Sequence, residues 1–242
     1  MANRFQIYCI TTANGEKHWF EKKEEAVACE IEFRKQQLSP TIQSYFAFSG
    51  DYYWNVIEPL LNVNIDTYKK RFLEKYASNG DNTTHLNNAI KVAVQRNTLY
   101  ASNLQINHKE PIKELWRFAL TNLTDKYKQE VSLSQYFDDV VYLKEFMNKQ
   151  FIKERYLAED GFKISHAQKS LSVYLKYLWC TDAIVEPPAC PIDSIVLRKA
   201  SINNVTWTTM NDINKLIEVT NQIKELANNQ SKTLAKWELL VF

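Results

Sequence analysis

Basic and aromatic residues are concentrated between residues 160 and 200 of this sequence, and their side chains could bind nucleic acid. Ammonium and guanidinium groups bind phosphates, and aromatic rings stack on bases. Lys169 and Lys176 are seven positions apart, so they share one face of the helix predicted over residues 165–181. We therefore predict a nucleic-acid-binding surface. Its residues are Lys169, Lys176, Tyr177, Trp179, Arg198 and Lys199.

The alternative for the same segment is a core helix whose lysines reach solvent. Ala167, Leu171, Tyr174, Leu175 and Leu178 recur at the spacing of one apolar stripe. A lysine beside such a stripe can lay its aliphatic stem along apolar surface while its ammonium group stays in water. In this interpretation the lysines are ordinary surface charges.

Two acidic residues of the same segment are candidates for holding a divalent cation. Glu186 and Asp193, together with Lys199, are of the types that a metal-dependent nuclease uses. Their spacing matches no established pattern, so a metal-dependent enzyme acting on nucleic acid is the second functional prediction. No catalytic motif is recognisable, and whether the chain is an enzyme is left open.

A zinc site is the third possibility, carried by His166, Cys180 and Cys190. Structural zinc sites pair their ligands two to four residues apart, because a tight turn then presents both to one ion. That pairing is absent, and the His-x-Glu and Pro-Cys-x-x-Cys patterns of nucleobase deaminases are absent too. We therefore predict buried thiols and no cofactor.

Glycine is scarce, and its distribution argues against several nucleotide-binding loops. The four glycines are Gly15, Gly50, Gly80 and Gly161, and no two of them lie in one loop. Phosphate-cradling loops need neighbouring glycines, because the backbone must approach the ligand without an intervening Cβ. The sequence thus argues against a P-loop, a dinucleotide-binding fingerprint and a kinase Gly-rich loop.

The overall charge and the apolar runs limit the partners. There are 30 basic and 28 acidic residues, a net charge of +2, so any nucleic-acid contact must be a local patch. The first residues lack the apolar region of a signal peptide. No apolar run approaches the ~18 residues that a membrane span requires. We expect a cytoplasmic protein with reduced cysteines and no membrane partner.

The chain is predicted to be mainly α-helical, with a helical bundle-like body behind a small N-terminal α+β segment. Residues 4–12 and 16–20 read as a β-hairpin around Asn14-Gly15, residues 21–38 as a helix, and 41–48 as a third strand. We place the domain boundary near residue 50, giving domains 1–50 and 51–242. Helices are predicted over 51–61, 65–77, 83–101, 132–155, 165–181 and 208–228, one more begins near Pro111, and the last ten residues are a helix or a strand.

Aromatic residues are the basis for the leading functional prediction, a macromolecular interaction protein. They make up 13% of the chain and include the run Tyr52-Tyr53-Trp54. Exposed rings anchor protein interfaces, although the same rings could pack the two parts of the chain together. The expected partner is another protein or a second copy of the chain, with nucleic acid as a further candidate.

The last third of the chain also resembles a pattern in uncharacterised bacterial proteins. The resemblance is carried by AQKSLSVYLKYLWC, PPACPID, the Trp207 segment VTWTTM and LAKWEL. It implies no activity and assigns no site residue.

Overall fold

The computed structural model describes residues 4–12, 16–20, 22–36, 41–48, 65–77, 80–151 and 155–241. Contacts divide the chain into two units, Met1–Ile65 and Asp66–Phe242. The predicted boundary near residue 50, the predicted helix over 51–61 and the Tyr52-Tyr53-Trp54 run lie outside the described residues. The division into domains 1–50 and 51–242 therefore stays a prediction.

The N-terminal unit contains an antiparallel sheet of three strands in its described part. The strands are β1 (Arg4–Thr11), β2 (Lys17–Phe20) and β3 (Thr41–Phe48). β1 lies between the other two, with Tyr8 opposite Phe20 of β2 and opposite Ser44 of β3. Aromatic and β-branched residues favour this pleated arrangement.

One helix, α1 (Lys23–Lys35), packs against the sheet. It begins with two glutamates and ends with Arg34 and Lys35, which complements the helix dipole. Ala26 is buried on its inner side, and the ring of Phe33 contacts that of His18 on β2 with centroids 4.7 Å apart.

The C-terminal unit is helical in its described part, which confirms the mainly α prediction with a small N-terminal α+β segment. Three single 3₁₀ turns lie at Ile106–His108, Asp125–Lys128 and Trp207–Thr209. The α-helices are α2 (Ile65–Ala77), α3 (Asn82–Val94), α4 (Lys109–Thr124), α5 (Leu133–Phe151), α6 (Ile164–Cys180), α7 (Ser194–Lys199), α8 (Ile213–Asn229) and α9 (Leu234–Val241). None of these described helices is both long enough and apolar enough to cross a membrane.

Helix α3 ends earlier than the sequence predicts, at Val94 rather than at residue 101. Arg96 has a φ of 61°, a left-handed conformation that cannot continue a right-handed helix. The chain then extends, and Tyr100 forms an antiparallel bridge with Leu157.

Helix α6 lies at the centre of the C-terminal unit. Every residue of it except Leu178 is buried, so its burial extends far beyond one apolar stripe. Two of its buried polar side chains are hydrogen-bonded to other segments: Gln168 bonds both backbone groups of Ile192 at 2.8 and 3.2 Å, and Ser170 accepts from the indole of Trp116 at 3.0 Å. These bonds offset the cost of burying polar groups.

A candidate nucleic-acid interface

A pocket of about 340 Å³ opens beside α6 and is the candidate site. Side chains of α2, α3, α6, α7 and α9 line it, together with Trp207 of the last 3₁₀ turn. We call it the α6 pocket. Its volume lies at the small end of the range for ligand-binding pockets, about 300–1,000 Å³. It contains two buried ion pairs, and these set its chemistry.

The deeper ion pair joins Lys176 on α6 to Glu238 on α9. The Lys176 ammonium donates to both carboxylate oxygens, at 3.0 and 2.7 Å, and the two side chains are 5% and 2% exposed. The ammonium also lies 4.4 Å from the ring centre of Phe72 on α2. Removing two charges from water costs several kcal/mol per ion, so such a pair is weak evidence for stability.

The second ion pair joins Lys169 on α6 to Asp193, with Nζ 2.7 Å from a carboxylate oxygen. The other oxygen of Asp193 accepts from the backbone N–H groups of Ile195 and Val196, at 2.8 and 2.9 Å, and so caps α7. Burial acts to raise the pKa of Asp193, but the Lys169 charge and these hydrogen bonds outweigh it, so the pKa lies below its usual value. The carboxylate is therefore ionised at neutral pH.

The open side of the pocket carries a cation and aromatic rings. Arg96 lines the pocket and is exposed to solvent. Trp207 is half-buried there, and Tyr76 is 38% exposed. Tyr177 is buried in the wall and stacks on His85, with ring centres 4.7 Å apart and planes 6° from parallel. Burial raises the pKa of the Tyr177 hydroxyl, which stays neutral.

The residues predicted from the sequence to form one exposed basic surface are separated. Lys169, Lys176 and Tyr177 line the α6 pocket. Trp179 is buried and has the ammonium of Lys69 at 4.9 Å from its ring centre. Arg198 and Lys199 are exposed in the last turn of α7, and neither lines the pocket.

Both interpretations of the sequence, the basic binding surface and the core helix with surface lysines, placed the ammonium groups of Lys169 and Lys176 in solvent. The structure contradicts both on this point. Lys169 and Lys176 are only 6% and 4% exposed. The reason is that the fold brings a carboxylate to each ammonium group, and a paired charge can stay inside where an unpaired one would have to reach water. The alternative of ordinary surface charges is wrong for the same reason.

The pocket residues that sequence reasoning did not select as site residues include Arg96, Trp207 and Glu238. Glu238 lies 62 positions from Lys176, and no local pattern connects them. Asp193 was predicted as a metal ligand, whereas in the structure it caps a helix and pairs with a lysine. Its position directly before an apolar run is the signal that predicts a helix cap.

The two predicted metal ligands are not brought together. Asp193 lines the α6 pocket, whereas Glu186 lines a different cavity, accepts from the hydroxyl of Thr233 and pairs with Lys236 at 3.1 Å. In the part of the chain that the structure describes, no three His, Cys, Asp or Glu side chains are grouped to hold a metal ion.

The three candidate zinc ligands do not converge on one ion. His166 and Cys180 lie near opposite ends of α6. At 1.5 Å per residue, their separation along the helix is about 21 Å, so they cannot bind one ion. Cys180 and Cys190 are buried, and burial raises the pKa of Cys180 to about 12 and also raises that of Cys190. Both thiols are therefore unreactive at neutral pH.

Comparison of the chain with protein-family models, with curated proteins and with solved structures finds no match.

Proposed function

We propose that the C-terminal unit binds single-stranded nucleic acid by taking one base into the α6 pocket. The observation that carries the proposal is the combination of aromatic walls with two ion pairs in one pocket of about 340 Å³. Aromatic side chains stack on bases of any sequence, because every base has a π face. Proteins that take a base out of its stack hold it between such rings and bond its polar edge.

The two ion pairs supply both kinds of hydrogen-bonding group that the edge of a base requires. An ammonium group only donates, and a carboxylate only accepts. Lys176 with Glu238, and Lys169 with Asp193, therefore present a donor beside an acceptor at two places in the pocket lining. Because each charge is already neutralised by its partner, the pocket interior suits a polar but uncharged group such as a base.

The exposed cation at the opening suits the phosphate that follows the base. Arg96 is the one basic residue of the described pocket lining that has no carboxylate paired with it. A guanidinium can bind two phosphate oxygens at once. The left-handed backbone of Arg96 follows the end of α3, a position where this conformation commonly ends a helix, and Arg155, Asp182, Ser201 and Ser231 adopt it too.

The test is direct binding of a fluorescent single-stranded oligonucleotide, followed by anisotropy at low salt. Replacing Trp207 with alanine is expected to weaken binding at least fivefold, because stacking contributes about 1–3 kcal/mol per base. Arg96→Ala is expected to weaken it as well. Arg198→Ala is the matched control, because Arg198 is an exposed cation outside the pocket. No binding by the unaltered protein, or equal affinities for Trp207→Ala and Arg198→Ala, would overturn the proposal.

Self-association is a second candidate function, favoured by two large exposed rings. Phe118 on α4 is 58% exposed and Tyr142 on α5 is 51% exposed, and Tyr142 stacks on Phe146. Exposed rings of this size anchor interfaces. Light scattering over a range of concentrations tests it: a mass that rises with concentration, and falls again in Phe118→Ser, is expected. A monomer at every concentration would eliminate it.

A further inference from the structure

A groove between α3 and α4 carries four basic side chains and one acidic side chain. We call it the α3–α4 groove; its volume is about 500 Å³. The basic residues are Lys91 on α3 and Lys109, Lys113 and Arg117 on α4, and the acidic residue is Glu110. Apolar side chains of α3 form its floor, with Ile90 buried. A net charge of +3 in one groove contrasts with the near-neutral chain as a whole.

Glu110 fixes the position of two of the four cations. It accepts from Arg117 at 2.6 Å and from Lys113 at 3.3 Å. These two hydrogen bonds lower the pKa of Glu110, so it stays ionised. Arg117 also donates to Asn87 at 3.0 Å. The guanidinium is thus held at the groove by two partners.

The other two cations have no carboxylate partner among the described residues. Lys91 is exposed, and Lys109 lies 5.1 Å from the ring centre of Tyr100. The Tyr100 hydroxyl is buried at the groove with no hydrogen-bond partner in the described structure, and so can donate to an acceptor that enters. Burial, and then the charge of Glu110, raises the pKa of this hydroxyl, which keeps its proton. An anion in the groove would meet a neutral donor and two uncompensated ammonium groups.

The groove adjoins the α6 pocket through the last turn of α3. Lys91 and Val94 line the groove, whereas Gln95 and Arg96 line the pocket. Successive residues of a helix project about 100° apart, so the two sets lie on different sides of α3, and a strand that occupies both cavities must cross the C-terminal end of this helix. Such a strand would meet the cations of the groove on one side of α3 and Arg96 on the other.

We infer that the α3–α4 groove binds the phosphate backbone of the same single strand whose base occupies the α6 pocket. This inference rests on the proposed function, because it is the base pocket that selects a nucleic acid over other polyanions. A row of cations along a groove neutralises successive phosphates and releases their counterions. An acidic peptide would meet the same cations, but it has no base for the aromatic pocket.

The inference is tested by comparing two ligands, a single-stranded oligonucleotide and a nucleoside monophosphate, on matched variants. Lys91→Gln/Lys109→Gln removes the two unpaired cations of the groove. Arg198→Gln/Lys199→Gln removes two exposed cations outside both cavities and makes the same change of charge. We expect the groove variant to bind the oligonucleotide about tenfold more weakly than the control, with a salt slope smaller by roughly 1.4, since a single strand contributes about 0.7 per phosphate. Affinity for the monophosphate is expected to be equal in the two variants.

The outcomes separate this inference from the proposed function. If the unaltered protein binds neither ligand, the proposed function fails, and the groove inference fails with it. If it binds the oligonucleotide but the groove variant and the control have equal affinities and salt slopes, only the groove inference is overturned. Competition by poly-glutamate equal to that by the oligonucleotide would overturn it in favour of an acidic protein partner.

Discussion

The lysines of the α6 pocket and those of the α3–α4 groove occupy opposite environments. Lys169 and Lys176 are buried, and each holds a carboxylate at 2.7 Å. Lys91 is exposed, and neither it nor Lys109 pairs with a carboxylate among the described residues. The first two present fixed donors and acceptors, and the second two can exchange counterions for phosphates. What a lysine does is therefore decided by whether the fold brings a counter-charge to it.

The largest expected effect comes from breaking the deeper ion pair. Lys176→Met leaves the Glu238 carboxylate buried without its ammonium partner, which we expect to lower the free energy of unfolding by about 3–5 kcal/mol. Lys91→Met, the same change at an exposed site, is expected to alter it by less than about 0.5 kcal/mol. Urea unfolding measures both.

A double variant sharpens the same comparison. Lys176→Met/Glu238→Leu removes both charges, so it is expected to recover most of the stability that the single variant loses. If the double variant regains its stability but no longer binds the oligonucleotide, the ion pair takes part in recognition of the base. Equal stabilities of Lys176→Met and Lys91→Met would contradict the distinction between the two environments.

The next effect concerns His166, a buried titratable group at the N-terminal end of α6. It is 0% exposed, and burial, with the nearby charge of Lys163, lowers its pKa to about 3. In the unfolded chain the imidazole of His166 is therefore protonated below about pH 6.5, whereas in the folded chain it stays neutral down to about pH 3. Because the unfolded state binds the extra proton, the free energy of unfolding falls as the pH is lowered from 6.5 towards 3. Titration of His166 is expected to lower the free energy of unfolding by about 2 kcal/mol between pH 7 and pH 5.

His166→Gln is the matched variant for that titration. His166 Nδ1 accepts from the backbone N–H of Lys163 at 3.0 Å, and a glutamine at this helix position can reach back to the same N–H. Urea unfolding at pH 7 and at pH 5 is expected to show a smaller loss for His166→Gln than for the unaltered protein. Equal losses would show that His166 is not the group that titrates.

A smaller effect is expected from separating the two roles of Asp193. Asp193→Asn keeps an oxygen to cap α7, whereas Asp193→Ala removes the cap as well as the charge. The alanine variant should be less stable than the asparagine variant by about 1 kcal/mol, the usual contribution of a cap. A difference near zero would mean that the cap does not contribute.

Acid unfolding isolates the charge of Asp193. Because its folded pKa is lowered, its stabilising contribution is complete above the ordinary aspartate pKa, near 3.9, and is lost as the pH falls through the folded value. Asp193→Asn should therefore flatten the fall in stability below about pH 4. An unchanged acid profile would assign that fall to other carboxylates.

Much of the fold could be predicted from the sequence, because local patterns determine it. Alternating β-branched and aromatic residues predicted the sheet, and a 3.6-residue period predicted the helices between 65 and 229 with the exception of the short α7, which was not predicted. The end of α3 could not be predicted, because the left-handed residue there is Arg96 rather than glycine. Helix α6 was predicted as an amphipathic helix, but its polar face is buried by partners distant in the sequence.

The candidate site was predicted only in part, for the same reason. Lys169, Lys176 and Tyr177 line one pocket, as their helical spacing leads one to expect, since seven positions correspond to two turns of one helix. Their exposure could not be predicted, because the carboxylate of Glu238 comes from α9, 62 positions away. Local patterns contain no information about such a contact.

The variants with the smallest expected effect on stability test whether Arg96 contributes to binding or to folding. Its φ of 61° costs about 1–2 kcal/mol for a residue with a Cβ, whereas glycine adopts it freely, and the greater freedom of glycine in the unfolded chain offsets about 0.5–1 kcal/mol of that gain. Arg96→Gly should therefore unfold at a urea concentration equal to or above that of the unaltered protein, and above that of Arg96→Ala. Both variants lack the guanidinium, so both should bind the oligonucleotide equally weakly. A glycine variant that is more stable and binds less well would show that the strain is retained for the sake of the cation. Undiminished binding by both would remove Arg96 from the interface and leave the groove lysines as its basic part.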